Sequence, residues 1–128
     1  MGTTEILVVD DDPNNRKLLM TLLRADGFAV RCVDSGPAAL AAVADSPPGL
    51  VLLDLMMPGM DGFEVARHLL SGEATRAIPV VMITALNDEA SRGRLAAAGI
   101  TRVVTKPVDR WELRSVIREA LASPGGEQ

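Results

Sequence analysis

The chain has 128 residues, the length of one ordinary domain, and its 48% hydrophobic content is enough to fill a single core. A formal charge of -4, from 17 acidic and 13 basic residues, excludes the basic face that binding to nucleic-acid phosphates demands. The aromatics are limited to Phe28, Phe63 and Trp111, which leaves no platform for stacking bases and predicts an aliphatic core.

Taken in chain order, short apolar runs alternate with longer amphipathic segments. The first run, EILVV, ends in Asp10-Asp11-Asp12, and a helix follows from Pro13. Asp12 is a good N-cap, Pro13 suits the first helical position, and Leu18, Leu19, Leu22 and Leu23 share one face before Gly27 ends the segment. The second run is FAVRCV. Its Cys32 cannot form an internal disulfide and reads as a small buried hydrophobe in a reducing compartment.

A second helix starts near Ser35-Gly36-Pro37 and stops at the breaker SPPG; LVLL then forms a third strand ending in Asp54. A third helix follows Asp61-Gly62 through FEVARHLL to Ser71-Gly72, with Asp61 as its N-cap. His68, the single histidine, belongs to this helical pattern and reads as a solvated surface residue with no role in the chemistry.

IPVVMI is the fourth strand and closes on Thr84. The helix from about Asn87 to Ala98 is rich in Ala and Arg, so it should be the least firmly packed, and Gly99 offers the left-handed residue that ends it. ITRVV is the fifth strand, followed by Thr105 and Lys106. The last helix opens on Asp109 with Glu112 three residues later, and turns Leu113, Val116, Ile117 and Ala120 inward. Residues 1–122 are expected to form one domain and 123–128, SPGGEQ, a flexible tail.

Five strands alternating with five helices, the strands being almost continuously apolar, predict a parallel sheet covered on both faces, a doubly wound α/β fold. No run reaches the roughly 18 apolar residues that span a bilayer, and MGTTE lacks the basic-then-apolar pattern of a signal peptide; a cytoplasmic protein with no membrane partner is expected.

Open parallel sheets bind ligands beyond the carboxyl ends of their strands. Four strands bring polar residues to that edge: Asp10 to Asp12, Asp54, Thr84 and Lys106. Helix capping explains Asp12, but not three carboxylates together. Asp54, placed after Val51-Leu52-Leu53, would be partly desolvated beside other carboxylates, a cost that a bound cation or Lys106 would relieve. An oxygen-only site suits a hard octahedral ion, Mg²⁺ with Mn²⁺ as the alternative. Such a cluster could serve phosphoryl chemistry or hold a structural cation. Lys106 and the Thr84 hydroxyl, both suited to phosphoryl oxygens, favour the first.

The motifs ILVVDDDP, VLLDLMMPGMDG, VVMITA and TKP, in this order over nearly the entire chain, resemble those of response-regulator receiver domains of bacterial two-component systems. The resemblance implies a flavodoxin-like (βα)5 fold with strand order 2-1-3-4-5. It implies phosphorylation at Asp54, an acidic pair Asp10 and Asp11, a switch hydroxyl on Thr84 and a phosphate-contacting Lys106. It also implies Mg²⁺ held by Asp11, Asp54 and the backbone carbonyl of Met56, with Asp10 acting through bound water, and a cis bond between Lys106 and Pro107. Asp12 matches no functional position of the family.

Two departures matter. Val103 stands where many receivers carry a rotating Tyr or Phe, which shifts the response onto Thr84 and its loop. Thr101-Arg102 replaces acidic residues that help many DNA-binding regulators dimerise, leaving at most a weak homodimer. Met56 and Leu86, two residues after Asp54 and Thr84, are apolar and are expected to hinder water and prolong the phosphorylated state.

The function implied is a phosphoacceptor that takes a phosphoryl group from a histidine kinase or histidine phosphotransfer protein and switches a protein-interaction surface. It would catalyse only its own phosphorylation and autodephosphorylation, and its output partner or attached effector domain is not named by these residues. Arg92, Arg94, Arg102, Arg110 and Arg114 read as scattered surface charges rather than a docking face. A phosphatase with an aspartyl phosphate intermediate would need a second Asp where Met56 stands. A pseudo-receiver, an interaction module without phosphorylation, is the alternative that the complete set of polar residues opposes.

Overall fold

A computed structural model of the chain describes residues 3–85 and 89–122. Leu86, Asn87 and residues 123–128, on which some of the expectations above fall, lie outside the described residues. The elements alternate strictly: β1 (Glu5–Val9), α1 (Pro13–Ala25), β2 (Ala29–Val33), α2 (Gly36–Asp45), β3 (Leu50–Asp54), α3 (Gly62–Ser71), β4 (Val80–Thr84), α4 (Glu89–Ala97), β5 (Val103–Thr105) and α5 (Arg110–Ala122). All strand pairs are parallel, in the order β2-β1-β3-β4-β5.

The period of two along each strand sorts the core into two layers. Leu7, Val9, Val51, Leu53 and Met82 face one way, onto Ala39 and Val43 of α2, Val65, Ala66 and Leu69 of α3, and Leu95 of α4. Ile6, Val8, Leu50, Leu52, Val81 and Ile83 face the other way, onto Leu19 and Leu23 of α1 and Leu113, Ile117 and Ala120 of α5. Each fully buried Leu or Ile contributes about 1.5–3 kcal/mol of transfer free energy. Among the described residues the core is aliphatic: Phe28 and Phe63 are partly buried, and Trp111 is 62% exposed.

The caps act as the sequence indicates. Asp12, Ser35 and Asp61 accept hydrogen bonds from the backbone N–H of Asn14, Ala38 and Glu64 at 2.8, 3.2 and 3.0 Å. Asp109 accepts from Trp111 at 2.8 Å and from Glu112 at 3.2 Å. Asp12 thus starts a helix and holds no place in the acidic cluster described below.

Two local expectations need correction. Leu18 is 49% exposed, because burial follows Leu19 and Leu23, one turn apart, and Leu18 falls on the flank of that stripe. The last strand is shorter than ITRVV. Gly99, at φ 90°, ends α4 in a Schellman motif: its N–H donates to Ala96 and that of Ile100 to Leu95, at 3.0 and 2.9 Å. Ile100 therefore turns into the core beside Leu95 before β5 begins at Val103. Helix α4 is described from Glu89, and Leu95 is its buried residue, in keeping with its few large apolar side chains.

Candidate functional site

Strand register decides which polar residues meet. Val9 lies opposite Leu53, Asp54 opposite Ile83, and Thr84 opposite Thr105. Residues one step past these pairs therefore emerge together at the carboxyl edge of β1, β3, β4 and β5. The ladder continues there through Asp10 N–H to Val33 O at 3.2 Å, Leu55 N–H to Ile83 O at 2.9 Å, and Lys106 N–H to Thr84 O at 2.9 Å.

Asp10, Asp54 and Thr84 are the buried polar or charged residues among those described, 1%, 4% and 0% exposed. Burying ionisable groups is costly, so a concentration of them at one edge marks a site rather than packing. Asp11 is exposed, yet one oxygen from each of Asp10, Asp11 and Asp54 lies within 4.8 Å of the others. Lys106 Nζ lies 3.1 Å from Asp54 Oδ1.

The oxygens are unequally satisfied. Asp10 Oδ1 accepts the Asp12 N–H at 2.9 Å, whereas Asp10 Oδ2 is buried with no hydrogen-bond donor. Asp54 Oδ1 has the Lys106 charge beside it but no aligned donor. Loss of water raises the pKa of Asp54; pairing with Lys106 opposes that rise and the Asp10 charge adds to it. Asp10 is raised by the same desolvation, against the Asp12 N–H and Lys106. Orphaned carboxylate oxygens, an oxygen-only donor set and repelling charges are what a hard divalent cation relieves, so these residues fit Mg²⁺.

The other predicted positions have definite places. The Met56 side chain is 60% exposed at the start of the loop after β3. Val103 is half-buried opposite Met82, on the face of the sheet that carries α2, α3 and α4. The Lys106-Pro107 bond is cis. His68 is exposed on α3. Arg94 lies 3.9 Å over the Phe63 ring and Arg102 4.0 Å from Glu119, whereas Arg110 and Arg114 share Trp111, at 5.0 and 5.8 Å over its ring.

One supporting residue escapes the sequence reading. Arg16 Nη1 donates to the backbone carbonyl of Asp10 at 2.8 Å and ties the first turn of α1 to the end of β1. Its position four residues after the N-cap Asp12 could have suggested this reach. Gly62 is a second. Its N–H donates to Leu55 O at 2.9 Å, and a Cβ there would stand 2.7 Å from Leu55 Cα and 2.8 Å from Asp54 O. Only a glycine lets α3 begin so close to the end of β3.

A family model for the response regulator receiver domain matches residues 6–118, which span both core layers and every strand end that builds the acidic edge. The chain belongs to this family. Among curated relatives, the receiver is 46% identical over 116 residues to Response regulator PleD of Caulobacter vibrioides, covering 91% of this chain and 26% of that one. It is 41% identical over 116 residues to the DNA-binding response regulator MtrA of Mycolicibacterium smegmatis, covering 91% and 50%. The chain thus spans about a quarter to a half of the length of these curated relatives.

Solved receivers superpose closely. The signal receiver domain of a signal transduction histidine kinase from Syntrophus aciditrophicus has a TM-score of 0.87 and 31% identity, covering 94% of this chain and 91% of that one. The receiver domain of a sensor histidine kinase from Pseudomonas aeruginosa has a TM-score of 0.87 at 28% identity, covering 95% and 100%, and holds a magnesium ion coordinated in its active site cleft. Receivers are modules of two-component systems, and the chain is one by fold and by sequence. Among the described residues no helix is long and apolar enough to cross a membrane.

Proposed function

We propose that this receiver takes a phosphoryl group onto Asp54 from a phosphohistidine of a histidine kinase or histidine phosphotransfer protein, and that the change in charge switches a protein-interaction surface. The observation that carries the reading is the buried Asp54 carboxylate beside Lys106 at 3.1 Å, with Asp10 and Asp11 within 4.8 Å.

An Asp54 oxygen attacks phosphorus, an O–P bond forms as the N–P bond to histidine breaks, and the histidine nitrogen leaves with the bonding pair. Burial strips water from Asp54, whose Oδ1 lies 3.1 Å from the Lys106 ammonium, so the nucleophile is available without first shedding a hydration shell. Lys106, with its side chain 29% exposed, reaches from β5 with an ammonium that offsets charge gathering on the phosphoryl oxygens. Mg²⁺, held by Asp10, Asp11, Asp54 and the Met56 carbonyl, would neutralise the carboxylates and orient the phosphoryl oxygens. Thr84, fully buried at the end of β4, has a hydroxyl suited to the new dianion, and drawing it inward would shift the loop after β4. Val103 has no ring to rotate, so the response rests on that loop.

The receiver acts on no separate substrate in this reading; it catalyses its own phosphorylation and autodephosphorylation in the cytoplasm. A partner or an attached effector domain reads the switched surface, without direct contact of this domain with nucleic acid. Incubation with acetyl phosphate and Mg²⁺ tests the assignment: one phosphoryl group should be gained, and lost from the Asp54→Asn variant. No gain with this or any other donor would favour a pseudo-receiver that acts as an interaction module.

A further inference from the structure

The loop between β3 and α3 carries Met56, whose carbonyl belongs to the proposed cation site, and its restraints are uneven. Both ends are pinned, by Leu55 N–H to Ile83 O and by Gly62 N–H to Leu55 O, each at 2.9 Å. Met57 is 7% exposed and anchors the first half in the core. The second half has little hold on the protein: Pro58 and Gly59 are exposed, and Gly59 sits at φ 76°. Met60 alone among residues 58–60 is half-buried.

Met60 rests on the first turn of α2. A Cβ added to Gly36 would stand 2.8 Å from Met60 Cγ and Sδ and 2.9 Å from Met60 Cβ, closer than such atoms approach in practice. Gly36 is itself buried, directly after the N-cap Ser35 whose Oγ accepts the Ala38 N–H at 3.2 Å. The bare backbone of a capped, well-fixed helical turn therefore forms a shallow socket in which the Met60 thioether lies. A flexible, unbranched side chain is suited to such an irregular gap.

We infer that Met60 is a positioning residue for the phosphoacceptor site: seated on Gly36, it holds the β3–α3 loop so that the Met56 carbonyl is presented to the cation. The inference rests on the reading of the site as Mg²⁺-assisted. Octahedral Mg²⁺ accepts little error in ligand distance, roughly 2.0–2.1 Å, so a carbonyl on a loop whose second half is loosely held would cost affinity. Contacts behind a ligand commonly tune binding in this way. Met60 touches neither cation nor phosphoryl group, and its effect passes through the backbone.

The test compares wild type, Met60→Ala, Met60→Leu, Gly36→Ala and the Gly36→Ala/Met60→Ala double variant. Mg²⁺ affinity is measured by calorimetry, and amide exchange at residues 56–60 is followed in the metal-free protein. Met60→Ala and Gly36→Ala should each weaken Mg²⁺ binding roughly 10-fold. Phosphorylation by acetyl phosphate should slow at low Mg²⁺ and recover at saturation. Amide exchange at 56–60 should rise in both, Met60→Leu should restore affinity, and the double variant should be no worse than the poorer single one.

Unchanged Mg²⁺ affinity in both single variants, with only a lowered melting temperature, would make Met60 a core filler and overturn the inference. So would losses that multiply in the double variant. If wild type itself neither binds Mg²⁺ nor gains a phosphoryl group, the functional reading falls first and takes this inference with it.

Discussion

Replacing Asp54 by Asn should stabilise the fold at neutral pH in the absence of divalent cations. At the upper separation of 4.8 Å, the Asp10 and Asp54 charges repel by about 3 kcal/mol with an effective dielectric constant near 20. Lys106, 3.1 Å away, returns about 5 kcal/mol on the same scale. That attraction is not all lost in the variant, because Lys106 also acts on Asp10 and its side chain, 29% exposed, can turn to water. Desolvation of the Asp54 carboxylate, several kcal/mol for a buried ion, is relieved outright. The balance favours Asn by about 1–3 kcal/mol, or several degrees in the melting temperature of a domain this size.

The sign of the pH dependence follows from the same geometry. Asp10 and Asp54 are both raised above the ordinary 3.8, so the folded chain holds protons that the unfolded chain has released. Their contribution to stability is complete below the unfolded value and is lost as pH rises through the folded values. The advantage of Asp54→Asn is therefore greatest above that window and shrinks on acidification. Thermal melts of both proteins in chelator-treated buffers across pH would measure it. A variant that melts below wild type at pH 7, or an advantage that stays constant as the pH falls, would refute the electrostatic account. Mg²⁺ at 100 times its dissociation constant should stabilise wild type by about 2.7 kcal/mol and the variant far less.

Two further substitutions probe the loop after β3. Gly62→Ala places a Cβ 2.7 Å from Leu55 Cα and 2.8 Å from Asp54 O, both backbone, so the start of α3 must move; urea denaturation should show a loss of about 1–3 kcal/mol. Met56→Asn changes a side chain that is 60% exposed, so stability should stay within about 0.5 kcal/mol. The aspartyl phosphate, followed after removal of the donor, should decay several-fold faster, and an unchanged half-life would sink the proposal that Met56 hinders water.

The fold was legible because local signals agree with one another. Asp12, Ser35, Asp61 and Asp109 cap helices as their sequence positions suggest, and uninterrupted runs such as LVLL are buried on both faces. The cluster was legible for a related reason: a carboxylate after three apolar residues is costly, and four strands cannot each end in a polar group at one edge by packing alone. What escaped depends on meetings between distant segments. Leu18 has the same composition as its buried neighbours, and only the direction of α1 against the sheet decides that it lies on the flank. The socket of Gly36 exists because the β3–α3 loop passes over α2, and no local pattern records that.

The cost of the acidic edge and its chemistry have one origin. Between the two core layers the inner stretches of β1, β3 and β4 are apolar, and the sheet can carry two nearly buried carboxylates at its edge only because that core is complete beneath them. Desolvation raises Asp54 and leaves Lys106 as its single close counter-charge among the described residues, which is a poised ground state rather than a relaxed one. Any partner that adds positive charge or removes negative charge there lowers the energy of the whole edge. In the proposed reaction a phosphoryl group would do the opposite, adding charge, so its product would have to be met by Lys106, by the cation and by the Thr84 hydroxyl. With Val103 in place of a ring, that demand falls on the end of β4, and it is there that a conformational response has a physical reason to begin.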